Sequence, residues 1–173
     1  MTTVRILGIG SPFGDDRIGW EVIEALLESD LLAHLPADSV AAECCDRPGT
    51  RLIPLLANAD VGILVDAMRG DSPPGTIRQL TVDDLESAPD AVSCHGFGLG
   101  EALALARTLG TLPPRLVVFG VELAQAGPGD SLSPSVRAAI PRTVKLVMEE
   151  INASLEADAR ASARTDAPSP AAP

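Results

Sequence analysis

Apolar residues follow two rhythms along this chain: short unbroken runs, and stretches where they recur every third or fourth position. Val4–Leu7, Val61–Val65 and Leu116–Val121 are runs of the first kind, each bounded by turn formers or polar residues. Such runs read as strands buried on both faces, and Ser39–Cys45 reads as a further strand. A helix is predicted over Asp16–Glu28, where Ile18, Val22, Ile23, Leu26 and Leu27 recur at helical spacing. Thr50 offers an N-cap for a helix over Arg51–Asn58, which Pro54 either shortens or tolerates in its first turn. After the turn at Pro73, Pro74 and Gly75, the alternating stretch Thr76–Leu80 reads as an edge strand. Leu99–Leu109 is predicted as a helix with Leu99, Leu103, Ala106 and Leu109 inward. Ser133 and Pro134 open another, and a second helical stretch runs from Pro141 to about Ala157.

Strands alternating with helices predict a doubly wound α/β fold, a three-layer sandwich around a mostly parallel twisted sheet of about five strands. Residues 1–157 form one domain in this reading. Residues 158–173, rich in Ala, Ser and Pro, have little to bury and are expected to be a disordered tail.

Composition narrows the picture in a few places. The chain has 173 residues, 46% of them hydrophobic but only 2% aromatic, so Leu, Val, Ile and Ala must build the core. A net charge of −11 repels phosphates, which argues against nucleic acid and against an anionic membrane surface as partners. Three cysteines (Cys44, Cys45 and Cys94) make no disulfide framework, and adjacent Cys44 and Cys45 cannot chelate a structural zinc alone. The start lacks an apolar signal region, and no apolar stretch reaches membrane-spanning length, so a cytoplasmic location is expected.

In a doubly wound sheet, ligands bind outside the carboxyl ends of the strands. Asp16 follows the first strand, Asp66 ends the run VGILVDA, and His95 lies in SCHGFG just before a helix. All three are expected at that edge, where two carboxylates and an imidazole suit a borderline divalent metal. Other readings are weaker. Gly8 and Gly10 begin a dinucleotide fingerprint, but Phe13 stands where its third glycine belongs. Cys94 and His95 are neighbours on an extended segment and point to opposite sides, so they do not form a thiol–imidazole dyad. No G-x-S-x-G elbow is present. Asp15 and Asp16 also sit where negative charge favours a helix start, so one of them can cap while the other faces the cleft.

Taken in order, these motifs resemble the hydrogenase maturation peptidases. LGIGSPFGDDRIG (Leu7–Gly19) is similar to that family's glycine loop with its acidic pair. Pro48–Thr50, Val65–Ala67, Pro74–Gly75, Ser93–His95, FGVE (Phe119–Glu122) and Leu132–Pro134 match further motifs in sequence. Ser11 stands where the family often has Asn, and Arg17 where it often has Gly. The resemblance implies a phosphorylase/hydrolase-like α/β fold and an endopeptidase. Its substrate would be the large-subunit precursor of a [NiFe] hydrogenase, trimmed of its C-terminal extension after nickel insertion. It also implies that Asp16, Asp66 and His95 are both the metal-contacting and the catalytic residues, and that nickel comes with the substrate, with no permanently bound cofactor. Asp46 falls at a position that is often acidic or polar and would face the same cleft. Two routes to bond cleavage stay open: a metal that polarises the carbonyl or activates water, or an aspartate acting as general base. The rival functions are another peptidase of the same fold, like the germination proteases, a non-catalytic nickel-binding maturation chaperone, and a nucleoside-binding α/β domain.

Overall fold

The computed structural model describes residues 1–36, 38–87, 99–124 and 131–165. Five strands form one sheet: β1 (Val4–Gly10), β2 (Val40–Asp46), β3 (Val61–Met68), β4 (Ile77–Leu80) and β5 (Arg115–Glu122). Their order is β2-β1-β3-β5-β4, with every pairing parallel except the antiparallel edge strand β4. The mostly parallel α/β sandwich expected from the sequence is therefore present, and the stretch expected at an edge is at one.

Alternation along the strands splits the core into two halves. Val4, Ile6, Ile63, Val65, Phe119 and Val121 pack under α1 (Ile18–Glu28) and α5 (Pro134–Thr165). Leu7, Ile9, Leu64, Met68 and Val118 face α2 (Leu52–Leu56), α3 (Val82–Ser87) and α4 (Leu99–Thr108). All eight residues of β3 are buried, because helices cover both of its faces.

The structure corrects several sequence expectations. α1 begins at Ile18, and a 3-10 turn over Gly14–Arg17 carries Asp16. Thr50 does not cap α2: Gly49–Arg51 wind as a 3-10 turn with no side-chain cap, and the helix is only Leu52–Leu56. Leu109 falls beyond the end of α4 and is 58% exposed, while Leu99, Leu103 and Ala106 are buried. α3 is a helix that the apolar periodicity does not predict, although Thr81 and Asp84 write a capping box. Asp84 Oδ2 accepts the N–H of Thr81 at 2.8 Å, and the N–H of Asp84 reaches Thr81 Oγ1 at 3.2 Å.

The two helical stretches expected on either side of Pro141 are one helix, α5. An interior proline costs about 3 kcal/mol. Here Val136, Ala139, Val144, Val147 and Ile151 form a continuous buried stripe, and that burial outweighs the lost hydrogen bond. α5 also runs past the expected domain end at residue 157 as far as Thr165. Asp158 on that extension accepts the backbone N–H of Thr2 at 2.9 Å, tying it to the chain start.

Candidate active site

In the order β2-β1-β3-β5-β4 the chain leaves the carboxyl end of β1 toward β2 and that of β3 toward β4, in opposite directions along the sheet. Such a switch point opens a crevice at the carboxyl ends of β1 and β3. Asp66 stands at that end of β3, and Asp16 follows the loop that leaves β1.

Glycines let α1 approach closely enough to place Asp16 there. A Cβ on Gly19 would lie 2.1 Å from the Ile9 oxygen and 2.6 Å from the Val65 oxygen. A Cβ on Gly10 would lie 2.4 Å from the Asp16 oxygen. The connecting loop is held by its own backbone: Ser11 N–H donates to the Asp16 oxygen at 3.3 Å, and Asp16 N–H to the Phe13 oxygen at 3.2 Å.

The two adjacent aspartates have different roles. Asp15 is 3% exposed and accepts the N–H of Ser133 at 2.6 Å and the N–H of Ala124 at 3.0 Å. Ser133 also directs its hydroxyl to the Asp15 carboxylate. Asp15 thus clamps the first turn to the end of β5 and the start of α5. Asp16 is half-buried, and its charge acts on Asp66.

Asp66 is 2% exposed. Its Oδ1 accepts the N–H of Ala67 at 2.8 Å, while Oδ2 is buried without a hydrogen-bond partner among the described residues. Burial first, and the neighbouring charge of Asp16 second, hold its proton on to a pH well above the ordinary carboxylate range. The Ala67 N–H opposes this more weakly. A buried carboxyl beside a second acid is strained electrostatically, and an incoming cation would relieve that strain.

The surroundings are mixed in charge. Arg47, at a left-handed φ of 38°, donates to Asp46 at 2.7 Å and feels the charge of Asp16. Asp46 is exposed at the end of β2, opposite Gly10. Arg17 pairs with Glu21 at 2.8 Å along α1. Cys45 is buried, and burial pushes its thiol up to about 11, with Glu43 adding to the effect. Burial likewise raises the thiol of the exposed Cys44, so neither offers a thiolate nucleophile near neutral pH.

The structure therefore brings Asp16 and Asp66 within electrostatic reach of one another. His95 and Cys94 lie outside the described residues. Among the described residues, no group of three or more His, Cys, Asp and Glu is placed to hold one ion. Glu122, noted in the sequence only as part of a strand, closes β5 and is 2% exposed. The signal that marked Asp66, an acid ending an apolar run, also marks Glu122.

Comparison with known proteins agrees with this fold. The family model described as HycI, hydrogenase maturation protease, matches residues 48–150. The hydrogenase expression/formation protein HupD of Thiocapsa roseopersicina is 29% identical over 84% of this chain and 66% of its own length. The hydrogenase 2 maturation protease of Escherichia coli K12 is 28% identical, over 87% of this chain and 92% of its own. Among solved structures, the hydrogenase maturating endopeptidase HybD from Escherichia coli superposes with a TM-score of 0.77 at 27% identity. That match covers 88% of this chain and 94% of HybD. No described helix is long and apolar enough to cross a membrane. With the doubly wound sheet, the acidic pair at its switch point and a family match over more than half its length, the chain belongs to the hydrogenase maturation proteases, a peptidase family that acts in hydrogenase processing.

Proposed function

We propose that this protein is the endopeptidase that removes the C-terminal extension of a [NiFe] hydrogenase large-subunit precursor once nickel has been inserted. The nickel is part of the substrate. Asp16, Asp66 and His95 fill coordination positions that the precursor leaves open, and the protein keeps no metal of its own. Carboxylate and imidazole donors suit such a borderline ion.

The observation that carries this reading is the state of Asp66: a fully buried carboxyl, one oxygen unsatisfied among the described residues, beside a second acid. Such a group binds a proton or a cation. When a nickel-loaded precursor docks, the cation replaces the proton on Asp66, and the attraction between ion and carboxylates sets the peptide in register. A precursor without nickel brings nothing to displace that proton and docks poorly. Cleavage thereby becomes conditional on metal loading.

The test uses purified precursor, nickel-loaded and nickel-free, incubated with the wild-type chain or with Asp66→Ala and followed by intact mass. The expected result is trimming of the loaded precursor by the wild type alone, with Asp66→Ala folded but inactive. Equal trimming of nickel-free precursor refutes metal-guided docking, and full trimming by Asp66→Ala refutes the role of Asp66.

A further inference from the structure

Glu122 is a further buried acid at the carboxyl edge of the sheet. Its Oε1 accepts the N–H of Gly70. Its Oε2 is buried and has no hydrogen-bond partner among the described residues. A carboxyl oxygen is a strong acceptor, and leaving it buried without a donor is costly. Among the described residues nothing uses the second oxygen: Oε1 alone holds the Gly70 turn, and the Glu122 backbone is engaged separately. Its N–H donates to the Thr76 oxygen at 2.9 Å, and its oxygen accepts from Gly75 at 2.8 Å.

Its position ties it to the site already described. Glu122 pairs in register with Met68, two residues beyond Asp66 on the neighbouring strand. By alternation, both acids project to the α2–α4 side of the sheet, the side of Leu64, Met68 and Val118. Strand geometry sets their α-carbons roughly 8 Å apart. Over the carboxyl lies exposed Gly70, where a Cβ would come within 3.2 Å of Oε2. A residue with no side chain keeps that oxygen uncrowded.

We propose that Glu122 is a specificity residue: its Oε2 receives a cationic side chain of the substrate, from the segment beside the bond to be cut, reached past Gly70. This rests on the peptidase function proposed above. A cation is the donor that a carboxyl oxygen in a dry site binds most strongly. The net charge of −11 draws positively charged segments toward the protein.

The variant E122Q keeps the size of the side chain and an oxygen for the Gly70 N–H but loses the charge. On nickel-loaded precursor, KM is expected to rise about 10- to 100-fold with kcat within about 2-fold. In parallel, each Arg, Lys and His flanking the cut in the precursor is replaced by Gln. One such precursor should lose the same factor with the wild-type protein and nothing further with E122Q. Gly70→Ala, which crowds Oε2 and leaves Glu122 in place, should raise KM in the same way. A wild-type KM in E122Q overturns the proposal, as does a loss that multiplies equally with every precursor substitution, since that marks a purely structural role. An unchanged KM in Gly70→Ala overturns access past Gly70. Wild-type protein on unaltered precursor is the separate control: failure to trim it removes the peptidase function, and this role of Glu122 with it.

Discussion

Gly19 lies at the start of α1, against the backbone of β1 and β3. In Gly19→Ala the new Cβ would stand 2.1 Å from the Ile9 oxygen, 2.6 Å from the Val65 oxygen and 2.8 Å from the Ile9 nitrogen. All three are backbone atoms of β1 and β3, so no rotamer change can clear them. The close approach is reciprocal, since a Cβ on Gly8 would lie 2.3 Å from the Gly19 oxygen. Restoring an ordinary carbon–oxygen separation of about 3.3 Å requires the start of α1 to lift by about 1 Å. Overpacking of this kind costs about 3 kcal/mol, the upper part of its usual range, because the obstruction is rigid. For a domain of this size that lowers Tm by roughly 6–12 °C. The same lift moves Asp16, one turn earlier, away from Asp66. A displacement of about 1 Å at a reacting centre costs about 10²-fold in rate. Thermal melts and trimming of nickel-loaded precursor, corrected for the folded fraction, read the two effects separately. A melt within about 1 °C of wild type refutes the packing argument. A lowered Tm with undiminished trimming per folded molecule refutes the claim that α1 positions Asp16.

Two further predictions concern the aspartates. Asp66 has its folded-state pKa raised by burial and by Asp16, so stability is lost as pH rises from the unfolded carboxyl value of about 3.9 toward the folded value. Asp66→Asn removes that penalty: its Tm should exceed the wild type's at neutral pH, with the gap closing near pH ~4, while trimming is abolished. Equal melting curves at both pH values contradict the burial argument. Asp15→Ala strands the N–H groups of Ser133 and Ala124. It should cost about 3 kcal/mol in denaturant unfolding, and a loss below ~0.5 kcal/mol shows that the clamp is dispensable.

The chain alone determined its layers. Runs such as Val61–Val65 are short, apolar and rich in β-branched residues, which suits a strand covered on both faces, and the periodic stretches between them suit helices laid on those faces. It also marked Asp66, because an acid ending an apolar strand has few structural reasons to be there, and Asp16, because it follows the first strand toward the same edge. Tertiary structure decided the rest. Local propensity breaks a helix at Pro141, but α5 passes through it because its stripe of apolar residues is buried along the whole layer. Neighbours in sequence, Asp15 and Asp16 are chemically identical. Only packing against Ser133 and Ala124, more than a hundred residues away, makes one a clamp and leaves the other to act on Asp66. The raised pKa of Asp66 belongs to no residue by itself, since it arises from water excluded by the two layers and from a charge delivered by another connection. Periodicity is a local property that the order of residues records, whereas burial and the field at a point sum over the whole fold.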